Sequence, residues 1–178
     1  MRTLALGGIK SGKSQWAEAA IAEALAPHQS VRYLATGSTL GDDASWSQRV
    51  EEHRRRRPAH WSTVETADVA TQLRRCADMP TLIDDVGGWL TTTLDRREAW
   101  RHGSVAGDVD ELVSAVAAFR APLVLVSPEV GLTLVPVTEA GRRFADELGL
   151  LNQKLAGLCQ RVVLIVAGQP VSIKPGNP

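Results

Sequence analysis

Residues 7–14 read GGIKSGKS, a spacing that builds an anion site out of backbone. Gly7 and Gly12 bracket Gly8, Ile9, Lys10 and Ser11, and Lys13 and Ser14 follow directly, the G-x-x-x-x-G-K-[ST] pattern of a loop that cradles phosphates. Glycines let the chain curl until its N–H groups face phosphate oxygens, at a helix N-terminus whose dipole favours negative charge. In that arrangement Lys13 reaches the β and γ phosphates and the Ser14 hydroxyl holds Mg²⁺. Such a site also needs an acid at the end of a neighbouring strand. The run TLIDD, residues 81–85, supplies Asp84 and Asp85. Asp84 directly follows the apolar residues and is the expected metal acid, whereas Asp85 is equally placed to cap the next helix.

A second cluster is RVEEHRRRRP, residues 49–58. If Asp42 to Arg57 is helical, Trp46, Arg49, Val50, His53 and Arg57 fall on one stripe by three- and four-residue spacing. Neutral imidazole can attack phosphorus, and the guanidiniums of Arg49, Arg54 and Arg57 disfavour its protonation. Arginine forks also match phosphate oxygens. The same residues equally suit a solvated basic face or a nucleic-acid patch, and spacing alone leaves these readings open. His28, His60 and His102 lack ligand spacing and read as structural or solvated. Trp16, Trp61 and Trp89 read as packing residues.

The elements that must position these groups follow a repeated β-then-α order. Thr3 to Leu6 is a short apolar run that ends at glycines, and Lys13 to Ala26 is Ala-rich and stopped by Pro27, which reads strand, turn, helix. Val31 to Thr36 predicts a second strand and Ser62 to Glu65 a short extra one. Thr81 to Asp85, Pro122 to Ser127 and Arg161 to Ala167 are continuous apolar runs without alternation, as in strands buried on both faces of a parallel sheet. Helical patterns cover Asp108 to Phe119 and Thr138 to Gln160, and Arg96 to Gly107 reads as surface. The order argues a wound, mostly parallel sheet flanked by helices.

The 178 residues fit one domain spanning 1–178. Twenty basic and twenty acidic residues cancel, so the whole-protein field predicts neither nucleic acid nor an acidic membrane as partner. Cys76 and Cys159 lack metal or disulfide spacing, which predicts a cytoplasmic setting. No apolar stretch approaches the roughly 20 residues of a membrane-spanning helix.

Taken together, GGIKSGKS at 7–14, YLAT at 33–36, RVEEHRRRRPAHW at 49–61, LIDDVGGWL at 82–90, VSPEVGLTLVP at 126–136 and the tail from FADELGLLNQKLA to VAGQPVSIK resemble the adenosylcobinamide kinase and adenosylcobinamide-phosphate guanylyltransferase family over nearly the whole chain. The resemblance implies a P-loop NTPase fold of RecA-like type. It implies phosphorylation of adenosylcobinamide by ATP or GTP, then attack of His53 on the α-phosphorus of GTP and transfer of GMP to the cobinamide phosphate. It carries nucleotide contacts onto Gly7 to Ser14, onto Leu34, Ala35 and Thr36, onto Arg54, Arg55, Arg56 and Arg57, and onto Glu65 and Asp84. Ser14 and Asp84 would hold Mg²⁺. A homo-oligomer is also implied.

Lys10 stands where the family usually has Arg, Asp85 where many members have Cys, Pro128 where Asn is common, and Thr133 where Gly is found. Gly87-Gly88 replaces bulkier residues and predicts a more mobile chain after the second acid. A switch GTPase is disfavoured because the nearest segment to its guanine-reading motif, Asn152-Gln153-Lys154-Leu155, does not match. A small-molecule kinase without guanylyl transfer is the alternative.

Overall fold

A computed structural model describes residues 1–36 and 57–176. The expected helix over 42–57 lies outside the described residues but for Arg57, as do His53, Arg54, Arg55 and Arg56. The apolar runs become strands of one seven-stranded sheet: β1 (Arg2–Gly7), β2 (Arg32–Ala35), β3 (Ser62–Glu65), β4 (Thr81–Asp84), β5 (Leu123–Pro128), β6 (Arg161–Val166) and β7 (Gln169–Lys174), in the order β3-β2-β4-β5-β1-β6-β7. All pairings are parallel except β6 with β7. The helices are α1 (Lys13–Glu23), α2 (Val69–Arg75), α3 (Val86–Arg96), α4 (Ala106–Ala118) and α5 (Glu139–Leu158).

Side chains alternate across each inner strand. Leu4, Leu34, Ile83 and Leu125 join the core beneath α2 to α5, whereas Ala5, Tyr33, Leu82 and Val124 join the core that packs on Ala17 and Ile21 of α1. Each fully buried leucine or isoleucine contributes about 2 kcal/mol of transfer free energy, so both faces resist sliding of the strands. Helix α5 shows how the helical faces are chosen. Thr138 caps it by accepting from Gly141 N at 3.1 Å, and Leu148, Leu151 and Leu155 recur at three- and four-residue spacing on its buried face.

Several details depart from expectation. Helix α1 stops at Glu23, with Ala24 as its cap, three residues before Pro27 is reached. The 96–107 stretch is not all surface: Ala99 and Val105 are buried in the larger core. Helix α2 was not expected, although Asp68 caps it by accepting from Thr71 N at 3.2 Å and Val69, Ala70 and Leu73 supply its buried side. Strand β7 was not expected either: all six of its residues are exposed, and Pro170 argues against an inner strand. An edge strand tolerates it.

Candidate active site

The loop from Gly7 to Ser14 takes the shape its glycines permit. A Cβ on Gly7 would lie 2.8 Å from the carbonyl oxygen of Ile165, so no other residue fits there. Gly12, at φ 92°, begins α1 and accepts from Trp16 N at 2.9 Å. Helix α1 has no side-chain cap and no acidic residue in its first turn, so its leading N–H groups are left for an anion. Ser11 Oγ is buried and has no hydrogen-bond partner among the described residues, a position a phosphate oxygen would satisfy. Lys13 Nζ donates to Gly8 O at 3.2 Å. The loop is braced from behind by the β6–β7 turn, where Gly168 N donates to Ser11 O at 2.8 Å. Ala167 and Gly168 hold positive φ angles of 50° and 79°, which a tight hairpin demands.

Asp84 is the last residue of β4 and receives the loop. Ser14 Oγ donates to its Oδ1 at 3.2 Å, and the Tyr33 hydroxyl donates to its Oδ2. A hydroxyl and a carboxylate are the hard oxygen donors that suit Mg²⁺ held mainly by phosphates and water. Burial first, and the Asp84 carboxylate second, raise the Tyr33 phenol far above its ordinary value, so it stays a donor. The neighbouring Asp85 takes a different role. It caps α3 by accepting from Gly87 N at 2.6 Å, and burial, then the charge of Asp84, raises its carboxyl above the ordinary value. Thr36 ties the two strand ends, its N donating to Asp84 O at 2.9 Å and its Oγ1 accepting from Asp85 N at 2.8 Å.

The sheet register lines up the remaining expected contacts. Ala35 pairs with Glu65 on one side and with Asp84 on the other, so Glu65, Ala35 and Asp84 form one row at the carboxyl edge of the strands. The Leu34 side chain is fully buried in the core below, which leaves only its backbone to face a ligand, while Glu65 is exposed. Arg57 lies over the Tyr33 ring, 3.4 Å from the centroid, and its Nη1 donates to Thr63 Oγ1 at 3.0 Å. The structure therefore gathers the loop, Thr36, Arg57 and Asp84. His28 and His60 meet edge to face, with ring centroids 5.8 Å apart, and Trp89 is a core residue, as the sequence reading had them. Two residues that reading missed are Tyr33 and Gly168. The chain's single tyrosine, inside a strand, and the Ala-Gly pair of a hairpin turn were the available signals.

Among the described residues, no helix is long and apolar enough to cross a membrane. A model of the cobinamide kinase / cobinamide phosphate guanyltransferase family matches residues 3–173. The chain belongs to this family. Relatives within it include the bifunctional adenosylcobalamin biosynthesis protein CobP of Pseudomonas aeruginosa, 39% identical over all of this chain and 99% of the relative. The CobU proteins of Salmonella typhimurium and Escherichia coli are each 34% identical over 98% of this chain and their full length. Among solved structures, a type III secretion system ATPase superposes with a TM-score of 0.53 at 12% identity, covering 96% of this chain and 56% of its own. The EscN ATPase of enteropathogenic E. coli does so with a TM-score of 0.57 at 11% identity, covering 93% and 43%. The chain spans about half the length of those ATPases, and the likeness is one of fold: the family member here has the P-loop ATPase sheet.

Proposed function

We propose that both activities for which the family is named run at the one nucleotide site gathered around Gly7 to Ser14, with His53 as the carrier of GMP. The chain is a bifunctional enzyme of cobalamin biosynthesis, a cobinamide kinase and cobinamide phosphate guanylyltransferase. The observation that carries the one-site reading is the Ser14 Oγ to Asp84 Oδ1 contact of 3.2 Å, which sets the loop's hydroxyl against the strand-end acid. In the kinase reaction the loop N–H groups and Lys13 would hold the triphosphate of ATP or GTP. The acceptor hydroxyl of adenosylcobinamide attacks the γ-phosphorus, and the nucleoside diphosphate departs. In the second reaction neutral His53 attacks the α-phosphorus of GTP, and the bond to pyrophosphate breaks. A phosphate oxygen of adenosylcobinamide phosphate then displaces the imidazole, giving adenosylcobinamide-GDP. Mg²⁺ between Ser14 and Asp84 would neutralise charge on the phosphate oxygens. Arg54 to Arg57, Glu65 and the 34–36 segment complete the nucleotide contacts in this reading. The unpaired Cys76 and Cys159 agree with a cytoplasmic setting.

Intact-mass measurement after incubation with GTP and Mg²⁺, without corrinoid, tests this. The wild type should gain the mass of GMP through an acid-labile, alkali-stable bond. His53→Ala should lose both this tag and guanylyl transfer yet keep kinase activity with ATP, and Lys13→Ala should lose both activities. A tag that persists in His53→Ala sinks the carrier assignment. Wild-type protein that never gains the tag leaves the kinase alone.

A further inference from the structure

Tyr33 occupies a place where an apolar ring would serve the core. It is 1% exposed and packs among Ala17, Ile21, Leu82 and Val124 on the α1 face of the sheet. Its hydroxyl nevertheless reaches Asp84 Oδ2, while Ser14 Oγ reaches Oδ1 of the same carboxylate. An ionised carboxylate only accepts, and a phenol has a single O–H to give. With a donor among the described residues on each oxygen, the Asp84 carboxylate is held from both sides and its plane is set. The Tyr33 ring is in turn clamped on its face by the Arg57 guanidinium, 3.4 Å from the centroid, and Arg57 is anchored to Thr63 of β3 by a 3.0 Å hydrogen bond. The orientation of the acid therefore depends on β2 and β3 as well as on the strand that carries it.

We propose that Tyr33 is a positioning residue for the metal, its hydroxyl aiming the Asp84 carboxylate at the Mg²⁺ that accompanies the nucleotide in both reactions. The inference rests on the reading of Asp84 as the magnesium acid. A carboxylate that can rotate spends part of its time with both oxygens turned away from the cation, and partners that orient a metal ligand typically change metal affinity about 10- to 100-fold when removed.

The decisive comparison uses wild type, Tyr33→Phe and Asp84→Asn, each with GDP bound and no turnover. Mn²⁺ is titrated as a paramagnetic stand-in and free ion is followed by electron paramagnetic resonance. Tyr33→Phe keeps the ring and its stacking on Arg57, and metal-free GDP affinity reports whether the fold and loop are intact. Expected is Mn²⁺ affinity about tenfold weaker in Tyr33→Phe, at the low end for such a partner, and weaker still in Asp84→Asn. The Mg²⁺ concentration giving half-maximal guanylylation should rise by a similar factor, with rate recovered at high Mg²⁺. A purely structural tyrosine would lower the melting temperature and leave the Mn²⁺ affinity alone. Mn²⁺ affinity in Tyr33→Phe within twofold of wild type, with Asp84→Asn clearly weakened, overturns the inference and leaves the metal reading standing. An Asp84→Asn protein that binds Mn²⁺ like wild type overturns both.

Discussion

Gly87 and Pro128 meet where the end of β5 packs on the first turn of α3. A Cβ on Gly87 would lie 2.8 Å from Pro128 Cγ, 3.0 Å from its Cδ and 3.1 Å from Asp85 Oδ1. The bulky ring at 128 thus requires the bare residue at 87. The glycine pair lies in the first turn of α3, with Gly87 buried and donating to the Asp85 cap. Replacing Gly87 with Ala would gain up to about 1 kcal/mol of helix propensity but crowd a rigid proline, at about 1 to 3 kcal/mol. Crowding wins because neither the ring nor the capping carboxylate can retreat. Gly87→Ala should lower the denaturation midpoint, and adding Pro128→Ala should restore much of the loss. Equal losses from Gly87→Ala with or without Pro128 would place the strain elsewhere.

At the scale of elements, α3 and α4 are joined through one carboxylate. Asp108 lies in the first turn of α4, where a negative charge complements the helix dipole, and Arg97 meets it with two hydrogen bonds of 2.8 and 3.0 Å while Arg96 adds one of 2.6 Å. The Arg97 hydrogen bonds first, and then the charges of Arg97 and Arg96, hold the Asp108 carboxyl below its ordinary value. A depressed folded-state pKa means that the unfolded chain binds the proton more readily. The stability is therefore fully present above the unfolded value near 3.9 and is lost as pH falls through the folded value. The carboxylate is 10% exposed but both arginines are more than half exposed, so solvent screening holds the contribution to about 1 kcal/mol. Asp108→Asn should lower the melting temperature at pH 7, and the gap from wild type should close as pH drops below about 4. A gap that is constant from pH 7 to pH 3 would show that the charge is not what joins the helices.

For the whole molecule, several of the exposed large apolar side chains among the described residues come from the loop after β5 and from the β7 edge. Leu132, Leu134, Val135 and Val137 are between 76% and 93% exposed, and Val171 and Ile173 of the β7 edge are about half exposed. The loop carrying the first four leaves β5 beside the phosphate loop, since Glu129 N donates to Gly7 O at 3.1 Å. Together with α5 it borders a cavity of about 480 Å³ reaching Leu6 and Ile173. Exposed apolar side chains and an edge strand are features that a partner copy could cover, and the family resemblance implies a homo-oligomer. Light scattering should give a multiple of the 19.2 kDa chain mass, and Val137→Asp with Ile173→Asp should shift it towards the monomer. A wild-type protein of chain mass at micromolar concentration would remove this expectation.

The sequence alone was enough for the strand–glycine loop–helix at residues 3–23, an acid at the end of a strand and a wound, mostly parallel sheet. Those features are written locally: a glycine spacing that permits one loop shape, and apolar runs whose burial on two faces leaves no alternation to misread. It also favoured Asp84 over Asp85 as the metal acid and left Asp85 as a candidate cap, and the structure ends β4 at Asp84 and makes Asp85 the cap of the helix that follows. What only the tertiary structure decided depends on residues far apart in the chain. Tyr33 and Asp84 meet because β2 and β4 are neighbours, and nothing within six residues of Tyr33 announces a carboxylate. Gly168 braces Ser11 across nearly the whole sequence. Pro128 matters to Gly87 because the end of β5 comes to rest against the first turn of α3. Local propensity cannot encode such pairings, since each residue's surroundings are supplied by strands whose order in space differs from their order in sequence.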